Sequence, residues 1–274
     1  MKFVCPKCMR PLVVGERGVA VCSQGHAFDR ARDGYYNLLL SNAGGTHGDN
    51  REMLEARRRF LDTGAYLPLA RKVAELVLLD FPDGGALLDI GCGGGYYTSI
   101  VSSALVTAGK RPDVHGFDIS KDGVRLTAKR DKSFSLAVAS AYKMPIADES
   151  FDAAMNVFSP LALEETVRIL RHGGRFVMAI PDVNHLFGLK SALYATPYKN
   201  KPESPELDGL DLIATERVHY TLKLKSAEEI NALFMMTPYA YRTSPKNAER
   251  ITSLERLDCT ADFRLLAYRK CGGV

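Results

Sequence analysis

The sequence predicts an α/β protein: a mostly parallel β-sheet with helices on both faces, behind a short N-terminal module. Three observations predict it. From residue 86 onward, short apolar runs alternate with segments of helical period, the order that builds a parallel sheet. The first of these runs ends in Gly91-Cys92-Gly93-Gly94-Gly95, a glycine turn that opens a helix. Three of the six cysteines fall within the first 22 residues, two of them only three positions apart.

The module comes first in the chain. Cys5-Pro6-Lys7-Cys8 and Cys22-Ser23-Gln24-Gly25-His26 give C-x2-C and C-x3-H, two close pairs separated by a loop. Such pairs can bring four ligands to one tetrahedral ion. Clustered cysteines in a reducing compartment argue for metal rather than disulfides. Cys5, Cys8, Cys22 and His26 leave no open position, so one structural Zn2+ per chain is expected. Residues 1–40 are too few to build a core, so the metal should supply their stability. On this reading the loss of Cys8 unfolds residues 1–40 and leaves the rest folded. Lys2, Lys7, Arg10, Arg17, Arg30 and Arg32 outnumber Glu16, Asp29 and Asp33 there. That excess fits a nucleic-acid contact surface; the plain alternative is a solvated basic face.

Residues 41–52 read as a linker by composition, with Asp49 or Asn50 able to cap the helix that follows. The main domain spans 53–274. Residues 53–80 have helical spacing, broken near Gly64 and Pro68. Strands are predicted at 86–90, 114–117, 134–138, 151–157, 175–180 and 257–269, and helices at 97–107, 121–130 and 161–171. Residues 183–225 interrupt the alternation with a helix at 185–194 and a polar stretch at 197–205. An insertion at that point commonly builds part of a substrate pocket.

A length of 274 residues fits one such domain plus the module. Hydrophobic residues at 46% and charged residues at 25% are ordinary for a soluble chain. No run of about 18 apolar residues occurs, which excludes a transmembrane helix, and the first residues lack the apolar core of a signal peptide. A cytoplasmic location is therefore expected. A net charge of +4 permits a polyanionic partner without demanding one. Cys92, Cys259 and Cys271 are scattered and read as ordinary small side chains.

The glycine turn carries the chemistry. A dinucleotide fingerprint needs G-x-G-x-x-G, and its third glycine would fall on Tyr96. The pattern Asp89-x-Gly91-x-Gly93-x-Gly95 instead resembles the first motif of class I methyltransferases. Asp118 ends the second strand, where a carboxylate can accept both ribose hydroxyls of a nucleoside. S-adenosylmethionine has no pyrophosphate to repel that acid.

The cysteine module and this turn, in this order, resemble the 23S rRNA (guanine-N1)-methyltransferases of the RlmA and tylosin-resistance TlrB type. Further matches are Gly34-Tyr35-Tyr36-Asn37-Leu38-Leu39, residues 56–62 with Gly64 and Tyr66, and Met236-Thr237-Pro238-Tyr239. The resemblance implies a Rossmann-like, mostly parallel seven-stranded sheet and S-adenosylmethionine contacts at Tyr66, Gly93, Gly94 and His185. It further implies methyl transfer to a guanine in a 23S rRNA hairpin, and it suggests a homodimer and a link to antibiotic resistance. Many methyltransferases place an acid after the third strand to hold the adenine; here Ala139-Ser140-Ala141 has none.

Guanine N1 lies on the Watson–Crick edge, so the base must leave its pair to react. Positioning should supply most of the rate, with help from a group that takes the N1 proton. Asn156 and Ser159 stand near the fourth strand tip, and Asp182 follows the fifth. Asp182 reads either as a base or as a loop acid. Arg57-Arg58-Arg59 reads either as a grip on the RNA backbone or as a helix face paired with Glu52, Glu55 and Asp62. Two other functions are compatible with the motifs: a small-molecule methyltransferase with a zinc scaffold, and a nucleic-acid-binding protein with an inactive cofactor fold.

Overall fold

The computed structural model describes residues 1–40, 50–202 and 205–272, so most of the predicted linker, Asp49 included, lies outside the described residues. The module forms a three-stranded antiparallel ribbon from β1 (Leu12–Val14), β2 (Ala20–Cys22) and β3 (Ala27–Phe28). The chain then enters β4 (Tyr36–Asn37), which leaves the ribbon and joins the main sheet.

Asn50 caps α1 (Arg51–Asp62), its side chain accepting from the Met53 amide at 2.8 Å. Gly64 stands between α1 and α2 (Leu67–Leu78) and Pro68 in the first turn of α2, so the break falls near the two residues that the sequence predicts. The alternation follows through β5 (Ala86–Ile90), α3 (Tyr96–Thr107), β6 (Asp113–Asp118), α4 (Lys121–Arg130) and β7 (Ser135–Val138). It continues with β8 (Phe151–Val157), α5 (Leu163–Ile169), β9 (Leu170–Pro181) and α6 (Phe187–Leu193). The chain ends with β10 (Leu210–Leu224), α7 (Ala227–Met235), α8 (Pro245–Thr252) and β11 (Leu257–Lys270).

The sheet order is β10-β11-β9-β8-β5-β6-β7-β4. Pairings from β4 to β9 are parallel; β11 runs antiparallel to both β9 and β10. The seven strands β5 to β11 form the mostly parallel sheet that the family resemblance implied, and β4 is an eighth, contributed by the module. Burial explains the strand pattern. Leu87 packs on one face with Val73, Val77 and Val101 from α2 and α3, while Leu88 and Ile90 pack on the other.

Two expectations change. The first is the predicted insertion at 183–225, of which residues 210–224 are a sheet strand. β10 is a mostly exposed edge, so its residues are polar and give no buried run. The second is the independence of the module. Tyr36 and Asn37 pair with Ala137 and Val138, the Leu38 amide donates to Val138 O at 2.9 Å, and the Val4 amide donates to Pro145 O at 2.8 Å. Phe3, Cys5, Leu12 and Tyr36 share one buried cluster with Leu88, Ile90 and Phe117. The ribbon therefore completes the second face of the sheet. Among the described residues, no helix is long and apolar enough to cross a membrane.

Candidate cofactor site and metal centre

The glycine turn joins β5 to α3 and is fixed from two sides. The amides of Gly91 and Cys92 both donate to Phe117 O at 2.9 Å, binding the turn to the tip of β6. From α4, Thr127 Oγ1 donates to Gly93 O at 2.7 Å and Arg130 Nε donates to Gly94 O at 2.7 Å. Two glycines are required by close approach: a Cβ on Gly91 would fall on the Ser159 hydroxyl, and one on Gly95, at φ +74°, would lie 2.7 Å from Thr127 Cγ2.

Asp118 stands half-buried beside this turn. Its Oδ2 accepts from the Gly93 amide at 2.8 Å and its Oδ1 from the Ser120 amide at 2.7 Å. Asp89 is buried beneath the turn and accepts from Thr98 Oγ1 at 2.5 Å. Burial, with the Asp118 charge adding, pushes its carboxyl up to about 7. Through Thr98, Asp89 ties the end of β5 to α3.

The fold brings Tyr66 and His185 together from distant parts of the chain. Tyr66 caps α2 and packs edge-on against Phe60 and Phe263, at 5.2 and 4.9 Å between ring centroids. His185 lies 4.6 Å from Phe263 and 6.1 Å from Tyr66. Burial pushes its imidazole down to about 3, with Lys190 contributing, so the ring is neutral. Its Nδ1 faces the Asp262 amide at 3.4 Å and accepts from it, which leaves the hydrogen on Nε2. The hydroxyls of Tyr66 and Tyr97 are buried with no hydrogen-bond partner among the described residues, and burial raises both phenols well above their usual range. Unpartnered buried hydroxyls are uncommon, and they are the kind of groups that a polar ligand completes. Tyr97, in the first turn of α3, carried no sequence signal beyond its place after the glycines.

The strand-tip candidates divide. Asn156 is buried; its Oδ1 accepts from the Ser159 amide at 3.1 Å and its Nδ2 donates to Pro160 O at 3.2 Å. It therefore staples the turn, and Ser159 packs against Gly91. The same turn holds Phe158 at φ +62°, a strained position for an aromatic residue, and leaves its ring 41% exposed. Asp182 takes Arg264 Nη2 at 2.8 Å and the Val183 amide at 2.9 Å, with Arg217 Nε at 3.7 Å. These ties are those of a loop acid. Ser140 Oγ accepts from the Tyr142 amide at 3.3 Å, which makes it a local cap.

The arginine cluster also divides. Arg58 and Arg59 are exposed, whereas Arg57 turns inward. Its Nη2 donates to Met236 O at 3.4 Å, and its Nη1 is the nearest atom, at 4.0 Å, to a Cβ built on Gly93. Glu55 pairs with Arg51 at 2.9 Å and Asp62 with Arg130 at 3.1 Å. Neither predicted reading therefore covers all three arginines, since Arg57 faces the cofactor turn.

The metal ligands converge at one end of the ribbon. Cys8 Sγ and Cys22 Sγ are 3.7 Å apart, and His26 Nδ1 lies 3.4 Å from the sulfurs of both Cys5 and Cys22. All four ligand atoms fall within 4.8 Å of one another. A tetrahedral zinc with ordinary bond lengths requires S···S near about 3.8 Å and S···N near about 3.5 Å. The donor set and its spacing fit Zn2+ closely, with Nδ1 as the imidazole donor.

Comparison with known proteins agrees with both halves. The methyltransferase domain family matches residues 88–178, and the RlmA N-terminal zinc-ribbon family matches residues 3–42. A Streptomyces fradiae protein named 23S rRNA (guanine(748)-N(1))-methyltransferase is 32% identical, over 91% of this chain and 90% of its own. The YxjB protein of Bacillus subtilis (strain 168) is 29% identical over 98% of this chain and 97% of its own. The crystal structure of the Bacillus halodurans C-125 protein BH2331 superposes with a TM-score of 0.50 at 14% identity, covering 74% of this chain and 99% of that one, a likeness of fold. With the four-ligand ribbon and the class I sheet on one chain, and a relative of this identity along nearly its whole length, the protein belongs to the 23S rRNA (guanine-N1)-methyltransferase family.

Proposed function

We propose that this chain transfers a methyl group from S-adenosylmethionine to N1 of a guanine in a 23S rRNA hairpin, in the cytoplasm, with a homodimer as the working assembly. The observation that carries the reading is the near-full-length match to a relative named for that chemistry, spanning ribbon and sheet together. Bound S-adenosylmethionine supplies an electrophilic methyl on a sulfonium, and the chain's task is to align it with N1.

In this reading Asp118 accepts the ribose hydroxyls and the backbone of Gly91, Gly93, Gly94 and Gly95 lines the methionine end. Nε2–H of neutral His185 and the unpartnered hydroxyls of Tyr66 and Tyr97 supply donors to polar groups of the ligand. Arg57 belongs with this set, since a guanidinium beside Gly93 suits a carboxylate. The basic side chains of the ribbon, with Arg58 and Arg59, hold RNA phosphates. Asp182 holds the β9 exit in place through Arg264.

Phe158 offers an open ring face at the tip of β8, beside Tyr97 and His185 at 6.3 and 6.4 Å. It is placed to stack an extruded guanine, an interaction worth about 1–3 kcal/mol per base. The reading is tested by incubating the chain with labelled S-adenosylmethionine and unmodified 23S rRNA, then digesting to nucleosides. The expected product is 1-methylguanosine. Phe158→Ala should lower kcat/KM for RNA on the order of tenfold or more, with cofactor affinity unchanged, and Phe158→Tyr should restore it. Label entering a small molecule in place of RNA would favour the small-molecule alternative.

A further inference from the structure

Two loops at the rim of the cofactor-bearing end share a composition that the site above does not use. Residues 183–202 and 236–248 contain no acidic side chain, yet carry Lys190, Lys199, Lys201, Arg242 and Lys246. Tyrosines interleave with these cations, and two stand well out of the surface: Tyr198 is 54% exposed and Tyr241 50% exposed. Both loops lie by the strand tips. The Asn200 amide donates to Val183 O at 3.0 Å, and its Nδ2 donates to Asp182 O at 2.8 Å. The second loop follows Met236, whose carbonyl receives Arg57.

A buried lysine joins the two loops. Lys190 is fully buried on α6, and among the described residues no ion pair is recorded for it. Its Nζ donates to Asn200 Oδ1 at 2.5 Å and to Tyr198 O at 3.3 Å. It lies 4.4 Å from the Tyr198 ring centroid and 5.7 Å from that of Tyr239. Tyr194 bridges the same pair, at 5.9 Å from Tyr198 and 6.4 Å from Tyr239. Burying an ammonium without a carboxylate is costly, and burial lowers its pKa. What the lysine gains the fold is order: it pins an exposed ring in place from beneath. Rings held outward among cations, with no acid between them, are the elements of a single-stranded nucleic-acid surface, where bases stack and phosphates meet lysine or arginine. Of the acids that follow in sequence, Glu203 lies outside the described residues, and Glu206 and Asp208 lie at the other end of the sheet, where Leu210 begins its pairing with Lys270.

We infer that residues 194–201 and 238–246 form a stacking surface for unpaired RNA nucleotides next to the target base, with Tyr198 and Tyr241 as platforms and Lys199, Lys201, Arg242 and Lys246 as phosphate contacts. This rests on the reading of the chain as an RNA methyltransferase and adds a substrate requirement to it: the RNA beside the target must be single-stranded.

The full-length zinc-loaded protein is titrated into a fluorescently labelled, unstructured guanine-containing oligoribonucleotide across a salt series, followed by anisotropy. Tyr198→Ala/Tyr241→Ala should weaken binding on the order of tenfold or more with an unchanged salt slope, while Tyr198→Phe/Tyr241→Phe binds like wild type. Lys199→Ala/Lys201→Ala should flatten the slope by about 1–2. Affinity for S-adenosylhomocysteine, measured by calorimetry, should be the same in all variants, which shows that they are folded. Wild-type affinity in the double alanine variant, or a loss that phenylalanine does not repair, overturns the surface while leaving the methyltransferase reading intact. Absence of RNA binding by the wild type, or binding to anionic phospholipid vesicles in place of RNA, overturns both.

Discussion

Cys8→Ser strips the chain of zinc and lowers the melting temperature of the whole protein, in one transition rather than two. A structural zinc contributes about 10–16 kcal/mol of apparent binding energy to a small domain, so the ribbon does not hold its fold without it. The sequence alone predicts that this loss stays local. The structure predicts otherwise, because β4 extends the main sheet and Phe3 is buried among main-sheet residues such as Phe117 and Leu88. Exposing Phe3 and Tyr36 alone costs about 1.5–3 kcal/mol each. At about 2–4 °C per kcal/mol for a chain of this size, the shift should exceed about 5 °C. Metal analysis and scanning calorimetry on the purified variant check both halves. Full zinc occupancy would remove Cys8 from the ligand set, and an unchanged main transition would show the ribbon to be an independent unit.

The second large effect is on the cofactor. On the proposed reading, Asp118→Ala removes the charged acceptor for two ribose hydroxyls. Hydrogen bonds to charged groups contribute about 1.5–3 kcal/mol each, so the dissociation constant for S-adenosylmethionine should rise by about a hundredfold or more. The same carboxylate also holds the Gly93 and Ser120 amides, so alanine loosens the turn as well. Asp118→Asn keeps the shape and one acceptor oxygen but loses the charge and turns an NH2 donor toward one of these two amides. It should fall between wild type and alanine in calorimetric titration. A dissociation constant within twofold of wild type for the alanine variant would remove Asp118 from the ligand site.

Much of this molecule is legible in its sequence because burial and ligand spacing leave strong patterns. Strands such as Ala86–Ile90 and Phe151–Val157 are buried on both faces and read as apolar runs. The Cys5, Cys8, Cys22 and His26 quartet reads from spacing alone. β10 does not, because an exposed edge strand needs no apolar run, and its residues pass for an insertion. β4 does not, because two residues carry no period. The helix phase of Arg57, inward, against Arg58, outward, depends on where α1 packs and cannot be taken from a run of three arginines. Phe158 is exposed by a turn that Asn156 staples, a relation between side chain and backbone that composition does not display. Base and loop acid stay open for Asp182 in the sequence because its partner, Arg264, stands on the last strand.

The central claim is that this chain methylates N1 of a guanine in 23S rRNA, and N1 methylation blocks base pairing. Reverse transcription across 23S rRNA from a strain deleted for the gene, compared with its parent, reads that modification directly. The account predicts one strong stop at a hairpin guanine in the parent, lost in the deletion strain and restored by the wild-type gene but not by the Asp118→Ala variant. Identical stop patterns in parent and deletion strain would contradict it.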